Sequence, residues 1–422
     1  MRNLGYQGLG FYSVATIYLF LGLGSFISSG IVEKFGSRSA LTIGGLQYAF
    51  WVICYLFPTF ADKSENKEEH FVFSKGFILF LSLLSSIMIG LGASIIWVGQ
   101  GRYVTECSTP ENKGLYSSIF WCYFNSSILV CNIFSAVILD YCDITTFYIL
   151  LSIISLCGCA SFLLLSEPEK PIQPLRSFKG DVLGVLSLIR DKRMIQYIPL
   201  CSSQAITLVG SSGVLFPLVY KTLENQDISA NAKFQLCMYS SLPLGFGEVI
   251  GSLIAGQIID KFGLRQALLG FIFTIVLSYS TFFYFIFLWE YGWVNFALSF
   301  IWGVQESFVI NLNQLICGFE FKSNIIPFSI QKLVQSIMTF TLLLIASLLN
   351  TQFEVTIYLI ITGCFKLMAA FLMLRFKFIS KSRKQSNKEN LELQKSDNSQ
   401  KVEKNIENEI ESEMALLDKN QK

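Results

Sequence analysis

Apolar residues in this chain run in long stretches rather than in alternation, and each stretch approaches the roughly 20 residues that carry a helix across a bilayer core. Eleven such runs are readable: Leu9–Val32, Ala40–Phe60, Gly76–Gly99, Leu115–Ile138, Phe147–Leu165, Ile195–Tyr220, Phe234–Ile259, Gln266–Trp289, Tyr291–Ile316, Ile326–Leu349 and Glu354–Phe376. Two segments break the series. Residues 167–194 are polar and contain Pro168, Pro171 and Pro174 ahead of a short amphipathic stretch, Val182–Ile189. Residues 378–422 are rich in Lys, Glu, Asn and Gln and cannot bury a core, which predicts a disordered tail. The layout is therefore an N-terminal bundle over 1–166, a linker over 167–194, a C-terminal bundle over 195–377 and a tail over 378–422.

The runs are not independent of one another. GSFISSGIVEKFGSRSAL from Gly24 aligns without gaps to GSLIAGQIIDKFGLRQAL from Gly251, with 10 of 18 positions identical and Glu33 replaced only by Asp260. Each copy closes one apolar run and opens the next, and the spacing between copies leaves room for a six-helix period. Parallel six-helix repeats mark the major facilitator architecture, so an all-α membrane protein of two six-helix repeats is expected. The second copy is preceded by a complete run, Ile195–Tyr220, whereas only eight residues precede the run that holds the first. The eleven runs thus take positions 2 to 12 of a twelve-helix plan, and the first helix is expected to be missing from the chain as given.

Charge sets the expected orientation. With the loop between the first two runs in the cytosol, Lys and Arg flank that side over the other by eighteen to six, the sense of the positive-inside rule. Linker and tail are then cytosolic. The choice between plasma membrane and endomembrane is left open. Composition agrees: of 422 residues 52% are hydrophobic and 15% charged, against roughly 25% charged in soluble domains. The net charge of +2 gives no basis for a nucleic-acid partner. Eight of the eleven cysteines, Cys54, Cys122, Cys131, Cys157, Cys159, Cys201, Cys237 and Cys364, fall inside apolar runs and read as small buried hydrophobes. A single histidine, His70, rules out a histidine relay or a His-rich metal site. There is no nucleophile–base pair, nucleotide loop or metal-ligand cluster, so neither an enzyme nor a cofactor is expected.

Two groups of residues carry candidate chemistry. The first is at the expected cytosolic helix ends: Glu33, Lys34, Gly36 and Arg38 in one copy, Asp260, Lys261, Gly263 and Arg265 in the other. Glycine permits the tight reversal and the acid suits the positive end of a neighbouring helix, with a generic basic turn as the plain alternative. The expectation is that Glu33 meets the start of the helix at position 11, and Asp260 the start of that at position 5. Between positions 4 and 5, Arg102 and Glu106 are four apart and can pair on one helical face, and Glu111 falls in the first turn of the next helix.

The second group is polar residues inside apolar runs, where they are costly and therefore informative. Glu248, Glu306 and Lys366 fall near the midplane, and Lys332 about two turns from the cytosolic side. At about 100° per residue, Gln305, Glu306, Asn313 and Gln314 spread over one half of their helix. Gln331, Lys332 and Gln335 fall within about 100°, and Gln204, Thr207 and Ser211 within about 60°. Either they line a hydrated cavity, with Lys332 or Lys366 as counter-ion to Glu306, or they hydrogen-bond helix to helix. The first half contributes no midplane charge.

The turns at Glu33 and Asp260 resemble the cytoplasmic loop motif of the major facilitator superfamily, which latches the two halves. Ser29, four residues before Glu33, departs from the motif's glycine. WVGQGRYVTECSTPENKGLYSSIFW, with NLGYQGLGFYSVATIYLFLGLGSF near the start, is similar to the uncoordinated-ninety-three (Unc) ion-channel regulatory family, closely over residues 1–130 and diffusely afterwards. That family is described through accessory proteins of two-pore-domain potassium channels, trafficking chaperones of receptors, and transporter-like proteins. The resemblance therefore implies a regulator or trafficking partner of a channel or receptor, with potassium homeostasis as its setting. The alternative is a secondary transporter or facilitator of a small solute or ion. In either case the lipid bilayer is the first partner.

Overall fold

The computed structural model describes residues 9–64, 70–166, 178–224, 226–228, 230–349 and 351–379. The proline-rich part of the linker and nearly all of the expected tail lie outside them. Every regular element among the described residues is helical. The first half contains α1 (Leu9–Phe35), α2 (Ser37–Cys54), α3 (Leu56–Lys63), α4 (Lys75–Glu106), α5 (Lys113–Tyr141) and α6 (Ile144–Ser161). The linker supplies α7 (Phe178–Ile189). The second half contains α8 (Lys192–Val209), α9 (Phe216–Thr222), α10 (Ala230–Phe262), α11 (Leu264–Leu288), α12 (Trp293–Phe319), α13 (Ile326–Ala346) and α14 (Gln352–Leu374).

Among the described residues eleven membrane-length segments emerge once α2 is joined to α3 and α8 to α9, and the two breaks have local causes. Pro58 has no N–H for the carbonyl of Cys54, so α2 ends there and a short α3 resumes after Tyr55. Between α8 and α9 the chain widens into a π turn, Gly210–Leu215, where the indole of Trp302 packs on Gly210 and donates to the Thr207 carbonyl at 3.0 Å. Among the described residues nine segments are long and apolar enough to span by composition alone. The other two are α5 and α12, of 29 and 27 residues. α12 carries Gln305, Glu306, Asn311, Asn313 and Gln314, which lower its hydropathy and are buried in protein.

The repeat in sequence is a repeat in packing. In the first half α1 lies against α4, and α2 against α4 and α6; in the second, α10 lies against α12, and α11 against α12 and α14. The halves meet through two seams that exchange under the same correspondence, α5 with α10 and α1 with α13. A two-fold relation between halves is the simplest arrangement with this pattern. In the second half α8 packs against α12, α13 and α14. In the first half an apolar cavity of about 440 Å³ lies among α2, α4, α5 and the end of α6, lined by Tyr48, Trp97, Phe120, Phe124 and Phe162 among others. Outward faces carry exposed apolar side chains such as Tyr123, Leu164 and Phe287, the surface a hydrocarbon solvent requires.

Candidate functional site

At one end of the molecule, here called the latch face, the two copies of the repeated turn behave differently. Gly36 and Gly263 take positive φ of 83° and 94°, which an L side chain adopts only under strain, so glycine is required at both. Lys34, Arg38, Lys261 and Arg265 are exposed around them. Asp260 reaches across to α5: its Oδ1 accepts from the Gly114 N–H at 2.7 Å and its Oδ2 from the Leu115 N–H at 2.8 Å. That satisfies two of the orphan donors at a helix start, where the dipole also favours an anion. The approach depends on two glycines, because a Cβ on Gly256 would come within 2.6 Å of the Gly114 carbonyl.

The first copy is built otherwise. Ser29 stands where the second copy has Gly256. The start of α13 is capped from its own loop, with Ser323 Oγ accepting from the Ile325 and Ile326 N–H groups at 3.3 and 3.2 Å. Pro327 has no N–H to offer. Glu33 lines a cavity of about 840 Å³ together with Ile325, Ile326, Arg190, Arg193 and Lys322. Arg102 closes the arrangement from α4: its Nε donates to Glu106 at 2.6 Å and its Nη1 to the Val32 carbonyl near the end of α1 at 3.0 Å. Glu111, expected in the first turn of α5, lies in the turn before it. Asn112 precedes the helix, and Asp260 of the other half takes the role at its N-terminus that a local acid would have had.

Deep in the second half the polar residues of α8, α12, α13 and α14 gather into three groups. In one, Gln204 Oε1 accepts from Asn313 Nδ2 at 2.8 Å and from Gln331 Nε2 at 2.7 Å, while the Tyr197 hydroxyl donates to Asn313 Oδ1 at 2.9 Å. In the second, the fully buried Lys366 donates to Thr207 Oγ1 at 2.7 Å and Gln305 Oε1 at 2.8 Å. Its ammonium lies 5.2–5.8 Å from the ring centroids of Trp302, Tyr279 and Phe271, a cation–π box. In the third, Glu306 is buried beside Ser211, within electrostatic reach of both Lys366 and Glu248. Ser211 and Glu248 line a cavity of about 220 Å³.

Two predicted members lie elsewhere. Lys332 donates to Gln335 at 3.1 Å and sits 4.8 Å from the Trp97 ring centroid in the other half, so of the two candidate counter-ions Lys366 is the one placed by Glu306. Gln314 donates to the Gly101 carbonyl of α4 at 3.2 Å. Further bonds tie the halves, Ser117 to Asn311 at 2.8 Å and Ser28 to Ser329 at 3.1 Å. Sequence reasoning missed Trp302, Tyr197 and, apart from Ser211, the serines around Glu248. The paired serines Ser211–Ser212 and Ser240–Ser241 were the available signal.

This architecture, with its doubled latch turn and a polar core in one bundle, defines a membrane protein of transporter type. Residues 1–326 match the Major Facilitator Superfamily, and the chain belongs to that superfamily. Within it the chain is similar to proteins named UNC93-like. It is 23% identical over 278 residues to UNC93-like protein MFSD11 of Xenopus laevis, covering 61% of this chain and 58% of that protein. Against the Xenopus tropicalis protein of the same name it is 27% identical over 175 residues, 40% of this chain and 35% of that one. UNC93-like protein C922.05c of Schizosaccharomyces pombe is 24% identical over 59% of this chain and 46% of its own length. The matches therefore span about a third to three fifths of these relatives. Among solved structures, the proton:xylose symporter XylE superposes with a TM-score of 0.65 at 14% identity, over 87% of this chain and 86% of that one. A bacterial homologue of the iron transporter ferroportin, outward-facing, gives 0.63 at 13% identity, over 88% and 91%. At those identities the likeness concerns the fold.

Proposed function

We propose that the chain is a solute- or ion-binding protein of transporter type whose binding chemistry resides in its C-terminal half. The observation that carries this reading is the buried group of Lys366, Glu306, Gln305 and Thr207. An ammonium and a carboxylate at membrane depth cost several kcal/mol even on lenient scales, and a bundle needing only packing would do better with apolar residues of the same volume. The latch face, closed by Asp260 on α5, fits a molecule that opens by parting its halves. The test is reconstitution into liposomes with an imposed proton or potassium gradient, following internal pH with a trapped dye. The expectation is a flux in wild type that Glu306→Gln abolishes. Equal dye traces for wild type, Glu306→Gln and empty liposomes would overturn it.

A second reading is favoured by a different observation. Gln204, Asn313 and Gln331 are consumed by bonds to one another, and no charged side chain occupies the middle of the described first-half spans. A bundle so satisfied suits a regulator or trafficking partner of another membrane protein, the role the Unc family resemblance implies, with a potassium channel as the first candidate. Co-expression with a two-pore-domain potassium channel, reading surface current, separates the two: a current change that survives Glu306→Gln supports regulation. On the same proposal the tail and the linker with α7 lie on the cytosolic side.

A further inference from the structure

The cavity beside Glu248 has a polar lining of one kind. Its polar residues are Ser211 and Ser212 from the π turn, Ser240, Ser241 and Glu248 from α10, and Ser299 from α12. A serine hydroxyl has one proton and two lone pairs, and here the protons are directed into the walls. Ser212 donates to the Leu208 carbonyl at 2.7 Å, Ser240 to Cys237 at 2.8 Å, Ser241 to Met238 at 2.7 Å and Ser299 to Asn295 at 2.8 Å. Ser211 donates to Leu208 at 3.0 Å and lies beside the Glu306 carboxyl, so its proton too is engaged away from the cavity. What these five hydroxyls offer inward is lone pairs. Glu248 adds an acceptor of greater strength. It is 5% exposed, and its Oε2 has no hydrogen-bond partner among the described residues.

A lining rich in hydroxyl acceptors beside the Glu248 carboxyl suits a ligand that donates and carries positive charge. Size decides which. At about 30 Å³ per water, 220 Å³ has room for several heavy atoms and is far larger than a bare alkali ion. An alkali ion would also want oxygens on all sides. Here the hydroxyls and carboxylate share the walls with Leu129, Leu215, Phe216, Met238 and Leu244, which leave much of the lining apolar. A primary ammonium on a short hydrocarbon body meets both parts, its three N–H donors toward Glu248 and the serines, its carbons toward the leucines and Phe216.

We propose that this cavity is a binding site for a small organic primary ammonium, with Glu248 as its charge partner. The proposal deepens the solute-binding reading and rests on it for the passage of the ligand; binding itself requires no transport. The test uses the full chain in lipid nanodiscs, with n-butylammonium as probe and n-butanol as its neutral counterpart, read by titration calorimetry and thermal melting. The ammonium is expected to bind and raise the melting temperature, and the alcohol at equal concentration to do neither. Glu248→Gln should weaken the ammonium by about thirtyfold or more, as loss of a desolvated charge partner does, and Ser240→Ala with Ser241→Ala by a smaller factor. Should Glu248→Gln fail to fold, the ammonium-versus-alcohol contrast and the serine variants decide. Equal response to n-butanol, absence of binding, or an equal stabilisation by potassium or sodium chloride overturns the assignment. Binding of n-butylammonium without flux in liposomes would sink the transport reading and leave this site standing; flux of another solute without ammonium binding would do the reverse.

Discussion

Replacing Asp260 tests whether the latch face is held by a carboxylate on a helix start. Asp260→Ala removes two N–H···O bonds of 2.7 and 2.8 Å and the charge that faces the α5 dipole. Hydrogen bonds to charged groups are worth about 1.5–3 kcal/mol each and the dipole up to about 1 kcal/mol. The Leu115 end is exposed and water replaces part of the loss, which brings the net effect to about 2–3 kcal/mol. A difference of that size moves a two-state equilibrium by about thirty- to a hundred-and-fiftyfold. Asp260→Asn keeps one acceptor and should lose about half. The readout is double electron–electron resonance between spin labels at Glu111→Cys and Arg265→Cys, in a background with exposed native cysteines replaced. Wild type is expected to show one short distance, Asp260→Ala a dominant longer one, and Asp260→Asn a mixture. Identical distributions in all three proteins would refute the claim that this carboxylate closes the face.

Three further outcomes follow from the same geometry. Gly256→Ser, which copies Ser29 into the second repeat, should disengage α5 much as Asp260→Ala does, because its Cβ meets the Gly114 carbonyl at 2.6 Å; the same label pair reads it, while Ser29→Gly leaves that distance unchanged. Lys366→Met should lower stability by about 3–5 kcal/mol, the cost of breaking a buried charged group's partnerships, and Glu306→Gln in the same chain should recover part of it in a melting-based double-mutant cycle. Asp143 caps α6 and pairs with Lys63 of α3 outside the spans, and Lys63 and Thr146 hold its carboxyl below the ordinary value of 3.8. A carboxyl lowered in the folded state stabilises above its ordinary range and stops doing so as pH falls through the folded value. The melting difference between wild type and Asp143→Asn should thus be full near about pH 6 and shrink progressively as pH falls from about 5 toward the lowered folded value.

The spans and the repeat were legible because lipid imposes one constraint on every helix, and because the Glu33 and Asp260 turns were copied nearly whole. What a turn binds was less legible, since its partner is remote: Asp260 finds Gly114, 146 residues away in sequence. The substitution of Ser29 for the motif's glycine was readable, but Ser323, which caps the start of α13, and Pro327, which brings no N–H there, lie nearly 300 residues further along the chain. The same holds in the core. Periodicity put Gln204, Asn313 and Gln331 on compatible faces, yet whether such faces meet solvent or each other depends on the closeness of α8, α12 and α13. The π turn left only Gly210, Gly213 and Pro217 as traces, and no periodicity argument reads a widened turn from those.

The unequal turns at the latch face bear on the order of events when the halves move. Along one seam, α5 is pinned through its own backbone by a residue of α10. Along the other, Ser323 caps the start of α13 from its own segment, and Ser28 of α1 meets Ser329 of α13 at 3.1 Å. A load that spreads the two bundles therefore meets a carboxylate clamped on backbone N–H groups along the α5–α10 side and a contact between hydroxyls along the α1–α13 side. The halves should part like a book rather than like a pair of jaws, with the α1–α13 edge lifting first and Asp260 the last contact to let go.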